Sequence, residues 1–100
     1  MSNGEQYPYL QIGDDKGEVR YLGYRIAVSP CEYEIIRILY YAEKPLVKHE
    51  IVRRADGEVR VSEGGVAVHI CALNKKISCF GGRRLVEYEF GRGYYLNPNM

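Results

Sequence analysis

The sequence predicts an α+β domain: a small antiparallel sheet, then three helices, then a β-hairpin. Three observations predict it. Residues 7–28 hold short aromatic and β-branched runs punctuated by Gly, Asp and Pro, the pattern of strands and turns. Residues 30–79 hold apolar positions at helical spacing. Residues 84–97 return to short apolar runs on either side of Gly91-Arg92-Gly93, which marks a hairpin.

The elements follow in order. Tyr7-Pro8-Tyr9-Leu10-Gln11-Ile12 reads as a strand, with Pro8 favouring an edge. Gly13-Asp14-Asp15-Lys16-Gly17 is a turn by composition. Residues 18–22 and 24–28 are two further strands reversed at Gly23. Ser29-Pro30-Cys31-Glu32 opens the first helix, with Ser29 as cap, Pro30 in the first position and Glu32 reaching back. That helix is expected over about 30–43. Its apolar face carries Tyr33, Ile36, Leu39 and Tyr40, widened by Ile35 and Ile38, and Lys44-Pro45 ends it. A second helix is expected over 48–55, poorly capped because Lys48 offers no acceptor. Asp56-Gly57 ends it. A third is expected over 65–79, with Val66, Ile70, Leu73 and Ile77 as a buried stripe and Ala67, Cys71, Asn74, Lys75 and Ser78 outward. Gly81-Gly82 breaks the chain before the hairpin at 84–97.

This order is that of a winged helix-turn-helix. The second and third helices form the helix-turn-helix and the hairpin forms the wing. Such a third helix fits the major groove of DNA, and a hairpin beside it reaches the backbone or minor groove.

Composition agrees with one domain over residues 1–100. The chain is 46% hydrophobic and 27% charged, which excludes disorder. Cys31, Cys71 and Cys79 are odd in number and lack metal-ligand spacing, so neither a disulfide framework nor a metal site is expected. No signal peptide or membrane span is read, and a cytoplasmic setting is expected. The net charge is +1, but residues 61–100 hold five Lys/Arg against three Asp/Glu, so the positive excess lies in the C-terminal part. No hydrolase, phosphate-loop or metalloprotease motif is present, so neither catalysis nor a cofactor is expected.

The chain resembles the C-terminal effector domains of OmpR/PhoB-type response regulators over roughly residues 7–97. Val28-Ser29-Pro30-Cys31-Glu32-Tyr33 is similar to the family's opening of helix one. Val66-Ala67-Val68-His69-Ile70, with Leu73, Lys75 and Ile77, is similar to its recognition helix. Gly91-Arg92-Gly93-Tyr94-Tyr95-Leu96 is similar to the closing strand of its wing. The resemblance implies a four-stranded N-terminal sheet, a third helix in the major groove and a wing at the minor groove. It implies a sequence-specific regulator of transcription, acting on double-stranded DNA. The expected partners are DNA, a second copy of the chain on a neighbouring half-site, and RNA polymerase or another regulator; no membrane partner is expected. Where the family usually has arginines this chain has Cys71 and Ala72, and where it often has another it has Phe90.

The candidate DNA-contacting residues are Ala67, His69, Cys71, Asn74, Lys75, Lys76, Arg83, Arg84 and Arg92. The resemblance assigns Lys75 and Lys76 to phosphates, against the alternative of a solvated helix end. Asn74 either pairs with an adenine edge or is simply solvated. His69 lies near the backbone in the family pattern, or is a half-buried imidazole beside Val66 and Leu73. Arg83 and Arg84 precede the wing, and Arg92 at its tip is the candidate for minor-groove insertion. Cys71 is a conceivable redox site or a small surface residue. Tyr94 and Tyr95 read as sheet packing. A competing reading keeps the fold but makes the domain a protein-interaction module, with Cys71, Ala72 and Phe90 as its apolar patch.

Overall fold

Val19 and Tyr21 are buried while Arg20 between them is exposed, and this alternation fixes the N-terminal sheet. The computed structural model describes residues 7–13, 17–55, 60–81 and 83–98. Strands β1 (Leu10–Ile12), β2 (Glu18–Tyr21) and β3 (Tyr24–Ala27) form an antiparallel sheet in that order. Leu10 pairs with Tyr21 and Val19 with Ile26, which puts the apolar residues on one face. Among the described residues this sheet has three strands, where the resemblance implied four. Asp14, Asp15 and Lys16 of the expected turn lie outside the described residues.

Helix α1 (Pro30–Tyr41) starts as the sequence predicts. The Ser29 hydroxyl accepts from the Glu32 N–H at 3.1 Å, and the Ser29 N–H donates to the Glu32 carboxylate at 2.8 Å. The helix stops two residues earlier than expected, because Ala42 is already extended and its N–H turns back to the Leu39 carbonyl. Burial runs nearly all round it, from Glu32 to Ile36 and from Ile38 to Tyr40. It is therefore a central helix, covered on several sides by other elements.

Helix α2 (Lys48–Arg54) has Val47 at its N-cap and no side-chain cap. The fully buried Ile51 anchors it to the core. Asp56 and Gly57, its expected terminator, lie outside the described residues. Helix α3 (Glu63–Gly81) begins two residues before the expected start. Ser62 supplies the reason: its hydroxyl accepts from the Gly65 N–H at 3.0 Å, and its carbonyl accepts from Val66 at 3.1 Å. A capped first turn carries the helix through Gly64 and Gly65 despite their poor propensity. Gly81, expected in a break, closes the helix, and Gly82 lies outside the described residues. Val66, Ile70, Leu73 and Ile77 are its buried stripe, as their spacing predicts.

Strands β4 (Val86–Glu89) and β5 (Gly93–Leu96) form the C-terminal hairpin, with Val86 opposite Leu96 and Glu89 opposite Gly93. The hairpin gains a further bridge, on the outer side of β5, from a distant segment. Leu46, between α1 and α2, donates to the Tyr94 carbonyl at 2.9 Å and accepts from the Tyr94 N–H at 2.7 Å. Gly93 makes this approach possible. Its φ is +124°, and a Cβ there would overlap the Leu46 carbonyl and lie 2.6 Å from the Val47 nitrogen. The winged helix-turn-helix predicted from the sequence is the observed fold. Its core joins sheet, helices and hairpin in one apolar cluster that includes Leu10, Ile36, Ile51, Leu73, Leu85 and Leu96. Among the described residues, no helix is long and apolar enough to cross a membrane.

Candidate nucleic-acid interface

Burying Val66, Ile70, Leu73 and Ile77 turns the opposite face of α3 outward. Ala67, Val68, Cys71, Lys75 and Ser78 are exposed there. The β4–β5 hairpin stands beside this face. Between them runs an open groove of about 430 Å³, floored by Ile70 and Tyr94 and bordered by Ala67, Cys71, Lys75 and Arg84. Ala67, Cys71, Lys75 and Arg84 of the candidate residues therefore share one surface.

Asn74 and Lys76, both on α3, are engaged within the fold. Asn74 turns towards the hairpin. Its amide donates to the Val86 carbonyl at 3.1 Å, and its carbonyl oxygen accepts from the Val86 N–H at 2.9 Å. These two hydrogen bonds use the donor–acceptor edge of the amide, the edge that an adenine contact requires. Lys76 turns the opposite way. Its ammonium reaches the Glu32 carboxylate at 2.6 Å and the Ala27 carbonyl at 3.0 Å, joining α3 to α1 and β3. Burial pushes the Glu32 carboxyl up, but Lys76 and the Ser29 N–H and hydroxyl outweigh it and hold the group below the usual carboxylate range. Both contacts depend on residues remote in sequence, so periodicity alone did not reveal them.

His69 is half-buried on α3. Arg83 and Arg84 are exposed where the chain enters the hairpin. Arg92 lies in the hairpin turn, with its guanidinium 3.2 Å from the Glu89 carboxylate. Cys71 and Cys79 are free and exposed, and Cys31 is half-buried.

The structure adds residues that sequence reasoning missed. Val68 is 66% exposed on α3, and Tyr88 is exposed on the hairpin. Lys48 and His49 at the start of α2 adjoin Tyr88 and Tyr94. A second cleft opens between α2 and the hairpin turn, bringing Arg92 beside Lys44, His49, Arg53 and Arg54. Glu50 pairs with the last two arginines, and its carboxyl is lowered to about 2, first by Arg53 and then by Arg54. The sequence shows these basic residues, but not that the Leu46–Tyr94 bridge brings them to the wing.

No protein-family model and no curated protein sequence matches the chain. Solved structures do. The chain is similar to the DNA-binding domain of response regulator AdeR in complex with an intercistronic region, at 23% identity and a TM-score of 0.73, over 91% of this chain and 95% of that one. It is similar to a member of a family of streptococcal redox sensors that evolved from two-component response regulators, at 22% identity and a TM-score of 0.77. It is also similar to DrrB, an OmpR/PhoB homologue of Thermotoga maritima, at 25% identity and a TM-score of 0.66. The matches cover 97% and 89% of this chain, but it spans only 43% and 42% of those two longer chains. The fold is that of OmpR/PhoB-type effector domains.

Proposed function

We propose that this chain binds double-stranded DNA as a transcriptional regulator, with α3 in the major groove and the hairpin at the minor groove. The observation that carries the reading is the groove between α3 and the hairpin, where the outward face of one long helix stands beside a β-wing with Lys75 and Arg84 at the rim. The separation of roles follows from the chemistry. Lys75, Arg84 and Arg92 supply charge for phosphates. Ala67, Val68 and Cys71 supply apolar contact of the kind that meets a thymine methyl group. Asn74 and Lys76 hold α3 in place for both. The AdeR domain, bound to DNA in the same fold, supports the reading.

The test is fluorescence anisotropy of a labelled mixed-sequence duplex at two salt concentrations. The intact protein is compared with a Lys75→Ala, Arg84→Ala, Arg92→Ala variant. Binding at roughly 10⁻⁴ to 10⁻⁶ M that weakens with salt and is lost in the variant supports the assignment. No binding by the folded protein at low salt rejects it. The surviving alternative is then a protein-interaction module, which the exposure of Phe90, Tyr24 and Leu22 favours.

A further inference from the structure

The wing tip has a shape and composition that the DNA-binding reading does not by itself require. Phe90 is 94% exposed, more than any other large apolar side chain among the described residues. It occupies the turn Glu89-Phe90-Gly91-Arg92, closed by a 2.9 Å bond from the Arg92 N–H to the Glu89 carbonyl. Gly91 has φ +82°, which suits the third position of a type II turn and leaves Phe90 in the second. A phenylalanine so exposed lies outside the core formed by the described residues.

The surroundings of the tip are basic. Arg92 faces the cleft of about 470 Å³ between the hairpin turn and α2. Lys44, Arg53, Arg54 and Arg92 line it, with Glu50 as the one acid among the lining residues. An apolar tip beside a cationic cleft complements duplex DNA, which stacks apolar bases inside and carries phosphates outside. The Arg92–Glu89 pair holds the acid of the turn close to a cation, which lowers its repulsion of phosphate.

We propose that Phe90 enters the minor groove of bound DNA as an apolar wedge, unstacking one base step and bending the duplex, while the cleft beside Arg92 holds phosphates of the flanking strand. The proposal rests on the DNA-binding reading above. Side chains of this kind kink DNA by partial insertion, and pyrimidine–purine steps yield most easily. Phe90 is therefore the residue that makes a deformable step part of the preferred site.

The experiment uses duplexes containing a TA step, with 2-aminopurine at the step or energy-transfer dyes at the ends. The intact protein is compared with Phe90→Ala, Phe90→Leu and Lys75→Ala. Because Phe90 is exposed, unchanged thermal melting is expected for both of its variants. The intact protein should raise 2-aminopurine emission and shorten the end-to-end distance. Phe90→Ala should abolish both and weaken binding about tenfold; Phe90→Leu should retain part of each. Lys75→Ala should weaken binding but keep the bend at saturation. A duplex bound straight, or bent equally by Phe90→Ala, overturns the wedge and leaves the DNA-binding reading intact. Loss of self-association in Phe90→Ala, with DNA binding unchanged, overturns it in favour of a contact between copies. Absence of salt-dependent binding to any duplex removes the DNA reading and the wedge together.

Discussion

Asn74 and Val86 are joined by two hydrogen bonds, 2.9 and 3.1 Å long, so that one side chain on α3 satisfies both backbone polar groups of the first residue of β4. Val86 is buried, and water cannot readily replace the lost partner. The pair sets how the wing stands against the helix. The geometry favours a positioning role for Asn74 over base reading.

Asn74→Ala should therefore cost stability. Leaving the Val86 N–H and carbonyl unpaired is expected to cost about 2 kcal/mol, a fall in Tm on the order of 10 °C. Relative preference among DNA sequences should stay the same. Thermal melting and competition binding with a set of duplexes separate the two effects. An unchanged Tm with altered base preference would return Asn74 to the reading surface.

Gly93 is expected to tolerate no side chain. Its φ of +124° and the Leu46 carbonyl both oppose a Cβ, so Gly93→Ala should destabilise by at least about 3 kcal/mol or detach the hairpin from the α1–α2 connection. Hydrogen exchange at the Leu46 and Tyr94 amides measures the second outcome. Protection at wild-type level would contradict the close packing.

The Glu32–Lys76 pair makes stability depend on pH. The folded-state carboxyl is held low, so its contribution is present above the unfolded glutamate value of about 4.3 and fades as pH falls through the lower folded value. Glu32→Gln keeps a capping side chain but removes the charge facing Lys76. It should be less stable than the intact protein by about 2 kcal/mol at neutral pH. The gap should narrow on acidification. Denaturant titrations at several pH values test this; a gap constant down to acid pH would mean that the charge contributes nothing.

Lys75, exposed at the groove, should act through phosphate alone. Lys75→Ala is expected to weaken binding to all duplexes alike and to reduce the slope of log K against log salt by about one unit. Lys76→Ala should leave that slope nearly unchanged and lower Tm instead, since Lys76 faces Glu32 and Ala27. Equal slope changes in the two variants would contradict the division between them.

How much was legible in the sequence differs from element to element. The opening of α1 was readable because Ser29, Pro30 and Glu32 act within one turn of each other. The stripe from Val66 to Ile77 was readable because helical periodicity needs no knowledge of the partner surface. The hairpin was readable from Gly91 and Gly93. The start of α3 was less so: Gly64 and Gly65 argue against a helix locally, and the Ser62 cap overrides them. The end of α1 was misplaced for a similar reason, since Ala42 turns extended ahead of Lys44-Pro45.

The sequence by itself determined the order of elements, the buried faces of the helices and the outward set of residues on α3, because caps, turns and periodicity act over a few residues. Only the tertiary structure decided which polar side chains on α3 are engaged within the fold. Asn74 and Lys76 have neighbouring numbers and similar local settings, yet one meets Val86 and the other Glu32. It likewise brought Arg92 beside α2, through the bridge between Leu46 and Tyr94. These contacts join residues distant along the chain, and a hydrogen bond or ion pair forms only where folding has already carried its two halves together.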